Sequence, residues 1–272
     1  MTAAQRGFAW KYDLPSPNTP SSISRDTSKI YPAPNHFCET HIEIPRSMFK
    51  MRGYDTVVGG ILLLAFSAFI PWFIYDTVIT PSKINIELTA LLLFSYIFIS
   101  FIIIPYIRMD IECPRDEPIR FNRQRQKVYF YQYRFDRLHP LGRKNWGVQP
   151  VAYDWKDITL EVYRIYAPMG YGGLLEKVMI SVRKPGTDEV IDRMHFADSL
   201  WKGEQYWAIV RRFMHEGPGA LPDFYYAPTD WHCDNPHNPF DRLLPKVTWP
   251  AEMDLESRTA PASVKQPLSL SR

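Results

Sequence analysis

Residues 56–75 read TVVGGILLLAFSAFIPWFIY, with no charge between Asp55 and Asp76. A helix of that length rises about 30 Å, the thickness of the hydrocarbon core of a bilayer. A second run, LTALLLFSYIFISFIIIPYI at 88–107, is uncharged between Glu87 and Arg108. Both runs are apolar around their whole circumference rather than along one stripe. A soluble chain of 272 residues has too small a shell to bury two such helices. Two membrane-spanning helices are therefore expected at 56–75 and 88–107. Pro71 and Pro105 sit near helix ends, where they are tolerated.

The linker DTVITPSKINIE is short, so the pair reads as a transmembrane hairpin with both termini on one side. Arg46, Lys50 and Arg52 stand upstream; Arg108, Arg115, Arg120, Arg123, Arg125 and Lys127 stand downstream; the linker holds only Lys83. That bias places both termini in the cytoplasm. No signal peptide is expected, because the first apolar run starts only after residue 55. Cys38, Cys113 and Cys233 are odd in number and far apart, which fits reduced cytoplasmic thiols. A formal charge of +3 is too mild to argue for nucleic acid.

Beyond the second run the pattern turns to strands. Residues 118–122 and 127–135 flank the polar turn RQRQ, and in KVYFYQYRF the tyrosines 129, 131 and 133 fall on one face. Further strands are expected at 157–167, 174–184 and 189–197. One amphipathic helix follows, capped near Asp198 or Ser199 and ended by Gly217-Pro218, with Tyr206, Val210, Phe213 and Met214 at helical spacing. Antiparallel strands followed by one helix give an α+β order: a small curved sheet or partial barrel with the helix closing it. The expected organisation is an unordered segment at 1–35, juxtamembrane and hairpin segments at 36–108, a cytoplasmic β-rich domain at 109–217 and an extended Pro-rich tail at 218–272.

IRFNRQRQKVYFYQYR, YDWKDITLEVYR and YWAIVRRFMHEGP, following two membrane helices, resemble bacterial pleckstrin-homology-like membrane proteins. WAIVRRFMHEGPGALP is similar, more narrowly, to uncharacterised proteobacterial membrane proteins encoded near type VI secretion and polymorphic-toxin genes. The resemblance implies an accessory or immunity protein whose partner is a secreted toxin or secretion component. It implies no catalytic residue.

The residues support the same class. No G-x-S-x-G, phosphate-binding loop, H-E-x-x-H or dinucleotide-binding glycine pattern occurs, and MGYGG at 169–173 precedes a strand rather than a helix. Neither an enzyme nor a cofactor is expected. Arg120, Arg123, Arg125 and Lys127 follow the bilayer closely enough to meet anionic headgroups, which opens the alternative of a lipid-binding or envelope-stress module. His36, Cys38 and His41, with His232, Cys233, Asp234 and His237, lack the C-x2-C spacing of structural zinc sites, so no metal is expected. The segment 221–246 has no helical or strand period, yet Phe224, Tyr225, Tyr226 and Trp231 are residues that anchor interfaces. Gly59 and Gly60 would let two copies pack as a homodimer within the membrane.

Overall fold

The computed structural model describes residues 7, 9–21, 25–46, 52–79, 86–167, 173–228, 240, 242 and 244–261. Two long helices, α1 (Tyr54–Ile79) and α2 (Ile86–Glu112), hold the apolar runs. Their surface is bare: only 11 % and 6 % of their most apolar stretches is buried. Core helices of a soluble protein would be covered; these two are long and apolar enough to cross a membrane, and little of the described chain packs on them. They touch each other. A Cβ on Gly59 would lie 2.6 Å from Ile103 Cγ2, and the Ser67 and Tyr96 hydroxyls are 2.8 Å apart. Gly60 faces open space.

The remainder is built on two antiparallel sheets. One has the order β1-β9-β10-β11, from β1 (Trp10–Asp13), β9 (Ile158–Ala167), β10 (Gly173–Arg183) and β11 (Val190–Ala197). The other runs β2-β3-β4-β5-β8, from β2 (His36–Phe37), β3 (His41–Ile44), β4 (Ile119–Asn122), β5 (Lys127–Phe130) and β8 (Val151–Asp154). A 3-10 turn at Trp155–Asp157 carries the chain from β8 in the second sheet to β9 in the first. The sheets do not join into a closed barrel.

Period two decides what lies between them. Ile42 and Ile44 of β3, Ile119 and Phe121 of β4, and Val128 and Phe130 of β5 point inward with almost no exposure. They meet Leu160 and Val162 of β9, Val178, Ile180 and Val182 of β10, and Met194 and Phe196 of β11. Helix α3 (Leu200–Glu216) seals this core with Tyr206, Trp207, Ile209, Val210, Phe213 and Met214, as its 3.6-residue spacing predicts. Ser199 caps it by accepting from the Lys202 N–H, and Gly217 ends it at φ 91°.

The structure differs from the expected domain bounds at three places. Within the segment expected to be unordered, β1 pairs with β9, and Leu14 and Ile30 enter the main core. Residues 36–44 are not juxtamembrane connection but two strands, with β3 inside the sheet beside β4. The tail is not wholly extended, since α4 (Ala251–Arg258) lies on the outer face of the second sheet. Short strands among Pro and Ser carry almost no period of their own; pairing with distant strands makes them.

The tyrosine strand is also shorter than expected. The ladder stops at Phe130 and resumes as β6 (Tyr133–Arg134), which pairs with β7 (Gly147–Val148). Between them the Tyr131 carbonyl accepts from Arg46, and the Tyr133 N–H donates to the Glu117 carboxylate. Those side chains take the groups a continuous ladder would use.

Candidate functional site

Two neighbouring features stand out on the second sheet. The first is a cleft of about 610 Å³ between its outer face and a strap formed by residues 247–260. The alternation that buries Ile42, Ile44, Ile119 and Phe121 turns His41, Glu43, Arg120 and Asn122 outward, paired as His41 with Asn122 and Glu43 with Arg120. The strap covers them. Arg120 is bound to Glu43 and Asp254, donates to Ser257 Oγ at 3.0 Å, and lies 4.5 Å from the Trp249 ring centre. Trp249 and Val247 pack on Tyr129 and Tyr131, so these two are core, but the core of a second, outer layer, while Tyr133 packs with Cys113 and Trp146.

The basic hairpin expected to meet headgroups is largely engaged by the chain itself. Arg125 donates to the Thr259 and Ala260 carbonyls at 2.8 and 2.9 Å, Asn122 to those of Ser257 and Thr259, and Lys127 to Glu256 at 2.9 Å. These donors meet the carbonyl end of α4, where a helix leaves its last C=O groups unpaired and its dipole is negative. The half-buried Arg123 lies against Gly217.

The buried rim of the cleft titrates unusually. Asn35 donates to Asp116 Oδ2 at 3.0 Å and to Glu43 Oε1 at 3.1 Å. Burial raises the Asp116 carboxyl to about 6, although Asn35 and the Arg46 N–H oppose the rise. Burial, and then the neighbouring His36, Arg120 and Arg258, hold His41 down to about 4. In metal-free solution the two act oppositely on stability. Folded Asp116 keeps a proton that the unfolded chain gives up near pH 3.8, so its contribution is full at low pH and lost as pH rises through about 6. Unfolded His41 takes up a proton below pH 6.5 and the folded ring does not, so its contribution is lost as pH falls towards 4. Removing either group should unmask the other. Urea midpoints should rise from pH 4 to 6.5 in Asp116→Asn and fall from pH 4 to 6 in His41→Gln. Parallel profiles in the two variants would refute the assignment.

The second feature is an exposed aromatic patch. Phe224 packs edge-on against Phe37 of β2 at 5.8 Å and also touches the main core. Tyr225, with 76 % of its surface exposed, meets Tyr226 at 5.0 Å, and Tyr226 meets Tyr31 at 5.2 Å. The Tyr225 N–H donates to the Ser28 carbonyl at 2.9 Å, which ties the segment to the N-terminal region. The sequence pointed to Phe224, Tyr225 and Tyr226; it missed Tyr31 and Phe37, which no spacing connects to them. Trp231 lies outside the described residues, as do His232, Cys233, Asp234 and His237. His36, Cys38 and His41 come together at the β2–β3 turn.

The architecture is thus an α+β domain of two main antiparallel sheets, a short two-stranded one and a sealing helix, joined to two bare apolar helices. Over residues 96–239, just over half its length, the chain matches a family of unknown function, DUF6708, and it belongs to that family. The match begins within α2 and takes in the patch residues 224–226, whereas the β2–β3 turn and the strap lie beyond it. No curated protein and no solved structure matches the chain.

Proposed function

We propose that the chain is a membrane-anchored, non-enzymatic interaction protein. In this reading α1 and α2 form a transmembrane hairpin in a bacterial inner membrane, with both termini cytoplasmic. The two-sheet domain, pleckstrin-homology-like in its sealing helix, holds a protein partner near the membrane through the aromatic patch. Bare apolar helices support the anchor. The observation that carries the interaction role is the set of four exposed rings, Tyr31, Phe37, Tyr225 and Tyr226, drawn from three stretches of chain and left in solvent although the domain has a core of its own, to which half-buried Phe224 ties them. Rings with few rotatable bonds supply large contact area at low entropic cost.

The resemblance noted in the sequence supports a particular partner, a secreted toxin or secretion component encoded nearby, and with it an accessory or immunity role. The lipid-binding alternative has less support, because Arg120, Arg125 and Lys127 are committed to the strap. The test is Tyr225→Ala with Tyr226→Ala, expressed beside the adjacent gene's product. Interface anchors are worth about 2 kcal/mol or more each, so capture should weaken roughly 100-fold or more. Both forms should remain in the membrane fraction and melt together, since Tyr225 is mostly in solvent. Undiminished capture by the double variant would reject the patch, and wild-type protein in the soluble fraction would reject the anchor.

A further inference from the structure

The geometry points to a transition-metal site on the β2–β3 turn, made by His36, Cys38 and His41 and suited to Zn2+ or a similar borderline-soft divalent cation. One ligand atom from each of the three lies within 4.8 Å of the others. Cys38 Sγ is 3.3 Å from His41 Nδ1, and the two imidazole centres are 5.1 Å apart. Tetrahedral zinc, with metal–sulfur and metal–nitrogen bonds near 2.3 and 2.0–2.1 Å, needs neighbouring ligand atoms about 3.3–3.6 Å apart. The Cys38–His41 pair, at 3.3 Å, is within about 0.3 Å of the sulfur–nitrogen value. The remaining closure falls to His36, which is exposed and free of packing in the core.

Backbone geometry explains the cluster. His36 pairs with Glu43, and the Cys38 N–H donates to the His41 carbonyl at 2.9 Å, closing a turn over Glu39 and Thr40. Cys38 and His41 therefore flank the turn, and His36 shares a face with Cys38 at a spacing of two. Thr40 Oγ1 stands 3.2 Å from Cys38 Sγ and 3.1 Å from His41 Nδ1 while donating to the Arg258 carbonyl, so the strap braces the turn. All three ligands come from six consecutive residues, and gathering them costs little chain entropy.

Binding would release the thiol proton and replace the Cys38–His41 contact with two metal bonds. A fourth position would face the cleft that His36 and His41 line, leaving room for water or a donor from a partner. Phe37, between two of the ligands, packs on Phe224, so a bound ion would also stiffen one edge of the aromatic patch. The site does not depend on what that patch binds.

The test uses the full chain in detergent, untagged and stripped with chelator, titrated with Co2+. One equivalent should give thiolate-to-cobalt absorption in the near ultraviolet and the strong visible bands of four-coordinate cobalt, both bleached by Zn2+. Cys38→Ser should abolish the thiolate band with an unchanged far-ultraviolet spectrum. His36→Gln should weaken Co2+ binding by more than about tenfold, since changes one sphere further out already cost 10–100-fold. Zn2+ should raise the melting point of the wild type but not of Cys38→Ser. A wild-type chain without a stoichiometric band, or a thiolate band that survives Cys38→Ser, would overturn the site.

Discussion

A chain beginning at residue 109 is expected to stay unfolded, whereas one in which a short Gly-Ser linker replaces residues 47–112 should fold. The first loses β1, β2 and β3, and with them Leu14, Ile30, Ile42 and Ile44, all buried in the main core. Full burial of such a side chain contributes about 1.5–3 kcal/mol. Four of them amount to roughly 6–12 kcal/mol, which matches the whole stability of an ordinary domain. The backbone loss compounds this, because β4 would present an unpaired edge where β3 belongs. Linking the segments is sterically reasonable: the Arg46 N–H donates to Asp116 at 2.8 Å, so the chain leaves the domain and re-enters it at nearly one point. Thermal melting followed by circular dichroism distinguishes the two. A cooperative transition in the 109–272 chain, at the midpoint of the linked one, would mean that the N-terminal strands are ornaments on a domain complete without them.

That result would also measure what the sequence conceals. The apolar runs of α1 and α2 could be read directly, because uncharged segments of bilayer length are rare away from membranes. Helix α3 was equally plain, with Tyr206, Val210, Phe213 and Met214 on one stripe and Gly217 at its end. Long strands such as β9 and β10 show their period within themselves. WKYD and HIEI do not: four residues hold too little pattern, and their partners lie some 150 and 80 residues away. The strap helix left a fainter trace in PAEMDLESR, whose acids open a turn that Arg258 closes. It was masked by the Pro-rich context. Among site residues, Phe224, Tyr225 and Tyr226 were marked by chemistry without periodicity. Tyr31 and Phe37 join them through tertiary folding alone, and the basic hairpin showed its charge but not its partner, since Asp254 and Glu256 lie about 130 residues further along.

Arg46→Met is expected to cost about 3–5 kcal/mol, the usual penalty for removing one member of a buried ion pair. Arg46 is 5 % exposed and stands where the chain leaves β3 for α1. Its Nε donates to the Glu117 carbonyl at 3.0 Å and its Nη1 to the His195 carbonyl at 2.9 Å; its Nη2 reaches the Tyr131 carbonyl and the Glu117 carboxylate. One planar group thus ties together the approach to β4, the break between β5 and β6, and the end of β11. Burial lowers its pKa, and the neighbouring Glu117 and Asp116 oppose that shift. Lysine cannot replace it. An ammonium keeps the charge, but it cannot present donors along the three directions that the guanidinium fork satisfies, so Arg46→Lys should recover only part of the loss. In Arg46→Met the Glu117 carboxylate keeps the Tyr133 N–H at 2.7 Å but loses its counterion. Adding Glu117→Gln removes that orphaned charge, and the double variant should be more stable than Arg46→Met alone, giving a coupling energy of about 1–3 kcal/mol. Denaturant midpoints of the linked domain measure the cycle. If Arg46→Met stays within about 1 kcal/mol of the parent, the joint between the apolar helices and the sheets is held by something other than this ion pair.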